Sequence, residues 1–288
     1  MAVLVNKKTK IMVQGITGTQ ASFHIQRAIN YGTKVVAGVV PNKSEEKHLG
    51  VPLFTTVVEA KEKTGADASI IFVPAKFAKS AILEAIRAKL KLVVIITSGI
   101  PVNDMIEIRK ELENSQTILI GPNTPGVITP QEAYMGIFPD NIHQSGDIGI
   151  ISRSSTLTYE VILEINKTGL GESTVIGLGD DFIIGTGFFK IIKEFNDDKK
   201  TKAIVLIGGI GGNYEIEAAR LYQTLNKKKP VIALLTEDVT PLSVNNGLAP
   251  EILCHGITTA SDKRKQLENA GMIVVNSIQD LKNELLKL

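Results

Sequence analysis

The sequence predicts an α/β protein made of two doubly wound halves, and three observations lead there. Short β-branched runs alternate with helix-length amphipathic stretches over nearly the whole chain. The runs are apolar throughout rather than alternating, as strands of a parallel sheet covered on both faces are. Each half opens with a strand, a turn of small and hydroxyl residues, and a helix: Gly15-Ile16-Thr17-Gly18-Thr19-Gln20 in the first, Ser152-Arg153-Ser154-Ser155-Thr156 in the second. The length, 288 residues, suits two domains at roughly 150 residues each.

In chain order, Ile11–Val13, Val35–Val40, Ser69–Val73, Leu92–Ile96 and Thr117–Ile120 read as strands, with helices between them at Ala21–Tyr31, Ala78–Leu90 and Asp104–Leu112. From Gly121 to Asp147 the period is lost among Pro122, Pro125, Pro130 and Pro139. Val127, Ile128, Ile137 and Phe138 give that stretch something to bury, so it reads as an ordered connector. Alternation resumes with strands at Ile148–Ser152, Thr174–Leu178, Ala203–Ile207, Val231–Leu235 and Met272–Val275. Helices are expected over Leu157–Lys167, Phe188–Phe195, Glu215–Leu225, Asp262–Ala270 and Ser277–Leu288. The expected division is a domain over 1–121, the connector over 122–146 and a second domain over 147–288.

Composition narrows the function. Hydrophobic residues are 43% and charged residues 22%, which is ordinary globular usage. Thirty-two basic against 30 acidic side chains leave +2, too balanced for a nucleic-acid groove to be the first reading. The aliphatic runs fall far short of the ~20 residues of a membrane helix. The first residues reach Asn6-Lys7-Lys8 too soon for a signal-peptide core. The single cysteine, Cys254, cannot form an internal disulfide, and no Cys/His cluster has zinc spacing. A soluble, cytoplasmic protein without nucleic-acid or membrane partners and without a metal is expected.

Gly15, Gly18 and Ala21 follow a strand and open a helix, so backbone N–H groups and the positive helix end can meet a pyrophosphate. An NAD site would place an acid at the end of the second strand. Here that strand runs into Pro41-Asn42-Lys43-Ser44, and Lys43 suits a phosphorylated ligand better than a ribose diol.

Taken in order, Gly15–Gln20, Val73-Pro74-Ala75, Thr97-Ser98-Gly99-Ile100-Pro101, Gly121-Pro122-Asn123-Thr124-Pro125-Gly126-Val127-Ile128 and Ser152-Arg153-Ser154-Ser155-Thr156-Leu157-Thr158-Tyr159-Glu160 resemble the alpha subunit of succinate–CoA ligase. The resemblance covers essentially the whole chain, and its last two motifs are highly specific. It implies a Rossmann-like CoA-binding domain followed by a flavodoxin-like ligase domain. It also implies a ligase of the tricarboxylic acid cycle that joins acid and CoA at the expense of a nucleoside triphosphate. In that family the alpha chain binds CoA, while an ATP-grasp beta subunit supplies the Mg-nucleotide. Thr17, Gly18, Thr19, Gln20, Lys43, Ile96, Thr97 and Ser98 match its CoA-binding positions. Tyr159 matches a substrate contact, and Ser154, Ser155 and Thr156 match the turn that receives the phosphorylated histidine.

The chain departs from the family around one step. Its phosphohistidine falls on Leu248, which has no nucleophilic atom. The family glutamate that supports that histidine falls on Gly209, and a glycine beside the phosphate falls on Asp180, where a carboxylate would repel phosphate. Ser155 stands for a glycine, Ser98 for a glutamate and Thr124 for a cysteine. His255 could substitute for the missing histidine only if the loop were realigned. His24 on the first helix, and His48 and His143 in polar loops, receive no role. No catalytic residue is assigned. Two outcomes remain: a ligase subunit with an altered or lost phosphoryl relay, or an inactive CoA-binding regulatory paralogue or altered acyl-CoA enzyme. A serine hydrolase has no Gly-x-Ser-x-Gly elbow to support it. The Asp180-Asp181 pair reads as a solvated turn rather than a metal site.

Overall fold

Apolar strands and amphipathic helices alternate as expected in a computed structural model that describes residues 2–42, 45–209, 212–235 and 260–288. The chain divides into two units. One holds Leu4–Asp140 together with Ile183–Thr186, and the other holds the first three residues, Asn141–Phe182 and Gly187–Leu288.

The N-terminal unit runs β1 (Lys10–Gln14), α1 (Thr19–Tyr31), β2 (Lys34–Val39), β3 (Lys47–His48), β4 (Val51–Phe54), α2 (Val57–Thr64), β5 (Ala68–Ile71), α3 (Ala75–Arg87), β6 (Leu92–Ile95), α4 (Val102–Glu113), β7 (Ile118–Ile120), β8 (Gly126–Thr129) and β9 (Ala133–Gly136). Its sheet is ordered β3-β4-β2-β1-β5-β6-β7, parallel except where β3 folds back on β4. Leaving out that short edge strand, the parallel order is the 3-2-1-4-5-6 of a Rossmann-like sheet. Helices α2, α3 and α4 bury Val57, Ala60, Ala78, Ile82, Ala85 and Ile108 against one face of it.

Several elements here were not expected: the short strands β3 and β4, helix α2 and the β8–β9 hairpin. Helix α2 starts with a variant of the capping box: the hydroxyl of the N-cap Thr56 accepts from the Glu59 N–H at 3.2 Å, and the Glu59 carboxylate reaches back one residue further, to the Thr55 N–H at 3.2 Å. Gly65 then ends it in the left-handed region. The connector contains the β8–β9 hairpin, whose strands are buried at every position, so no alternation could reveal them.

The second unit runs β10 (Ser145–Ser152), α5 (Ser155–Asn166), β11 (Glu172–Gly177), α6 (Phe188–Asp197), β12 (Ala203–Gly208), α7 (Tyr214–Tyr222), β13 (Val231–Leu235), α8 (Ala260–Asn269), β14 (Ile273–Val275) and α9 (Ile278–Leu285). Its parallel strands are ordered β14-β13-β12-β10-β11, which in chain sequence is the 2-1-3-4-5 arrangement of a flavodoxin-like sheet. Helix α6 lays Phe188, Ile191, Ile192 and Phe195 into its core. No described helix is long and apolar enough to cross a membrane.

Two histidines are less exposed than their polar sequence neighbours suggest. His48 belongs to β3 and is half-buried, not part of a polar loop. His143 lies in a loop as expected, but its side chain is fully buried, with Nδ1 3.4 Å from the equally buried Glu172 carboxylate. Both sit among polar neighbours in the sequence, so only the tertiary packing hides them.

Candidate functional site

A doubly wound sheet leaves a crevice outside the carboxyl ends of its strands, at the point where strand order reverses. In the N-terminal unit that point lies between β1 and β5. The chain leaves β1 through Gly15, at φ +82°, where a side chain would begin 3.1 Å from Val73 Cγ1. The Gly15 N–H donates to Val39 O (3.0 Å), the Gly18 N–H to Gly15 O (3.2 Å) and the Ser22 N–H to Gly18 O (2.8 Å). The turn is therefore pinned at both ends. Ile16 is buried beneath it, while Thr17, Gly18, Thr19 and Gln20 are all exposed.

Helix α1 begins at Gly18 without a side-chain cap, so its first N–H groups and its positive end face outward, free to meet an anion. Helices α3 and α4 also start without side-chain caps, at Pro74 and Pro101. At the end of β6 the Thr97 hydroxyl donates to Val73 O at 2.5 Å, and Thr97 O accepts the Asn123 N–H at 3.0 Å. Ile96 and Thr97 are half-buried and Ser98 is exposed. Thr17–Gln20 and Ile96–Ser98 thus share one sheet edge, with the end of β5 between them. Thr124 lies buried in the following turn, its hydroxyl accepting the Gly126 N–H at 2.8 Å. Lys43 lies outside the described residues.

The corresponding point in the second unit lies between β10 and β12. Ser154 caps α5, its hydroxyl accepting from the Leu157 N–H at 3.4 Å. Ser155 and Thr156 follow as the first helical residues, half-buried and exposed respectively. Tyr159, one turn on, is half-buried, and burial pushes its phenol pKa up.

Arg153, beside this turn, had no role in the sequence reading. It is almost fully buried, donates to Gly179 O at 3.5 Å and Asp181 O at 3.3 Å, and lies 5.5 Å from the Tyr214 ring centroid. A side chain at Gly209 would begin 3.1 Å from its Nη1. Asp180 is exposed as a residue, yet enough protein surrounds its carboxyl that desolvation pushes its pKa up. Arg153 opposes that shift, and Asp181 adds to it. The buried Glu215 accepts the Gly209 N–H at 2.9 Å, and the buried Lys263 ammonium donates to Gly209 O at 3.0 Å. Glu215 and Lys263 were also missed, because a charged residue on an amphipathic helix reads as solvated. Leu248, His255 and Cys254 lie outside the described residues. No group of three or more metal-ligating side chains occurs among the described residues.

Comparison with known proteins identifies the family. A family model for a CoA binding domain matches residues 6–99, and one for a CoA-ligase matches 151–278. The succinate–CoA ligase [ADP-forming] subunit alpha of Staphylococcus aureus is 46% identical over 272 residues, covering 94% of this chain and 90% of that one. The chain belongs to the succinate–CoA ligase alpha-subunit family. The Staphylococcus epidermidis subunit is 44% identical over 286 residues, 99% of this chain and 94% of its own. Among solved structures, the ATP citrate lyase of Methanosaeta concilii in complex with (3S)-citryl-CoA superposes with a TM-score of 0.83 at 22% identity, over 98% of this chain and 49% of that one. The dinucleotide-forming acetyl-coenzyme A synthetase 1 of Ca. Korarchaeum cryptofilum gives 0.74 at 19%, over 95% and 59%. This chain spans roughly half the length of those proteins and shares their fold. The Rossmann-like order and the matched CoA binding domain fall on the same residues, so the family alpha subunit and its CoA-binding half stand together.

Proposed function

We propose that the chain binds CoA at the β1/β5 crevice, with the pyrophosphate over Thr17, Gly18, Thr19 and Gln20, the end of β6 (Ile96, Thr97, Ser98) as a second wall, and Lys43 adding charge. The observation that carries this is the uncapped start of α1, behind a glycine turn whose four following residues are exposed. The residues fit a phosphorylated ligand: donors and a helix N-terminus, with no acid in the described part of the turn to repel it.

The whole reaction of the family, acid + CoA + NTP giving acyl-CoA + NDP + phosphate, needs a Mg-nucleotide site. We assign that site to an ATP-grasp beta-type subunit. Tyr159 would contact the acid, and the Ser154–Thr156 turn would receive phosphate at the start of α5. Leu248 at the phosphohistidine position argues for an altered or lost relay. Asp180 supports that reading, because its carboxylate would oppose an incoming phosphate.

Calorimetric titration of the full chain should give CoA binding clearly tighter than NAD. Equal affinities, or none for CoA, would overturn the ligand assignment. Co-expression with a beta-type chain, followed by incubation with ATP and Mg²⁺, tests the rest. We expect a complex, with the alpha chain left unphosphorylated. Acid-labile phosphate that disappears in His255→Ala would instead place the relay on His255.

A further inference from the structure

Beneath the phosphate turn runs a chain of hydrogen bonds that the CoA assignment does not use. Ser22, in the first turns of α1, donates its hydroxyl proton to Ile16 O at 3.1 Å. The same oxygen lies 2.8 Å from His48 Nε2. His48 Nδ1 lies 3.0 Å from the Glu45 carboxylate. Ile16 is the residue immediately before Thr17, so the chain ends on the peptide that leads into the exposed turn.

Proton counting gives this network two states. A serine hydroxyl has one proton, and in the first state it goes to Ile16 O, 3.1 Å away. The Nε2 atom must then donate to Ser22. A carboxylate only accepts, so Nδ1 must donate to Glu45. All three bonds together require both ring nitrogens to carry hydrogen, and His48 is then a cation. If the ring loses its Nε2 proton, the serine hydroxyl turns toward that nitrogen and the Ile16 carbonyl loses its partner. The two states differ at the backbone of the turn itself, and they differ by one positive charge beside it.

We propose that His48 is a positioning residue of the phosphate turn, and that its doubly protonated form is the one that binds CoA, so binding draws a proton onto His48. This rests on the reading that CoA occupies the turn. Glu45 is the carboxylate facing the ring from its own hairpin. From α1 the facing group is the neutral Ser22, and across the strand pair it is Val51. Its chain neighbours Glu46 and Lys47 are exposed.

The test is calorimetric titration of the full chain with CoA in two buffers of different ionisation enthalpy, across pH 5.5 to 8.5. The unchanged chain is compared with His48→Gln, which keeps a donor toward Ser22 but no titration, and with His48→Leu, which keeps neither. CoA's own phosphates titrate identically in all three, so the difference isolates His48. We expect proton uptake to fall in His48→Gln, and the pH dependence of its affinity to shrink to the part that CoA's own phosphates contribute. His48→Leu should bind about tenfold more weakly throughout. Equal proton uptake in the unchanged chain and His48→Gln overturns the proposal.

Gly18→Asp separates the two failures. If that carboxylate leaves CoA binding intact, the turn is not the CoA site and both readings fall. If it abolishes binding while the His48 variants match the unchanged chain, only the role of His48 falls.

Discussion

The Glu215 carboxylate and the Lys263 ammonium lie 3.5 Å apart with no solvent contact, and each holds one backbone group of Gly209, its N–H and its carbonyl respectively. A buried pair of this kind is costly to break from one side, because the remaining charge stays desolvated. Lys263→Met should lower stability by about 3 kcal/mol in urea unfolding followed by circular dichroism. The double variant Glu215→Gln with Lys263→Met should recover part of that loss. A single variant as stable as the unchanged chain would show that the pair carries no charge.

At Gly209 itself the backbone is not in the left-handed region, and the nearest atoms to an added side chain are those of the Arg153 guanidinium. Gly209→Glu should therefore fold and pair with Arg153. Gly209→Leu, which presses an apolar group on the same cation, should melt several degrees lower. Thermal unfolding of the two side by side decides this. Restoring a phosphoryl relay should need Leu248→His, Gly209→Glu and Asp180→Gly together, since groups that act as a unit are strongly non-additive. Labelling by Leu248→His alone, in the presence of a beta-type chain and ATP, would contradict that.

Asp180 gives a pH signature. Its folded-state pKa lies above the ordinary 3.8, chiefly through desolvation. The folded state therefore binds the proton more tightly than the unfolded one, and this group's contribution to stability is lost as pH rises through the folded pKa. Asp180→Asn should raise the melting temperature at pH 7 and change it less at pH 3.5. Equal shifts at both values would count against it.

His24 carries the opposite sign. Desolvation, with Arg27 adding to it, lowers its pKa below 6.5, so its contribution is present above that value and lost as pH falls through the folded pKa. The ring stacks on Phe72 with centroids 6.3 Å apart, and His24→Phe preserves that contact. The variant should lose less melting temperature than the unchanged chain between pH 7.5 and pH 5.

Gly15→Val should damage both stability and ligand binding. The position combines φ +82° with a 3.1 Å approach to Val73. A β-branched residue there costs on the order of 1–3 kcal/mol, and CoA affinity should fall with it in calorimetry.

How much of this was legible depended on where the signal sat. Parallel strands such as Leu92–Ile95 and Val231–Leu235 are continuous apolar runs, and those were visible to within a residue or two. The first turn was visible because glycine spacing is a local property. Helix α2 was missed although Thr56 and Glu59 write its start plainly. It is only eight residues long, and its apolar face is little more than Val57 and Ala60. Arg153, Glu215 and Lys263 were illegible for another reason: only the reversal of strand order brings the end of β10 beside the end of β12, and no window of sequence contains both. His48 and Ser22 are likewise brought together from opposite sides of β2.

The short stretch Ile183–Thr186 belongs to the N-terminal unit although it is encoded well inside the second half. The Gly185 N–H donates to Gly121 O at 2.8 Å, Arg109 donates to Gly185 O at 2.6 Å, and the Thr186 hydroxyl accepts the Leu119 N–H at 3.2 Å. Recombination between relatives with a crossover anywhere from 141 to 182 would therefore give the N-terminal unit a foreign strap, however cleanly it joined the two halves. Such chimaeras should tolerate exchange best when residues 183–186 travel with residues 4–140, so inheritance of this chain by halves is constrained by four residues encoded in one half and packed in the other.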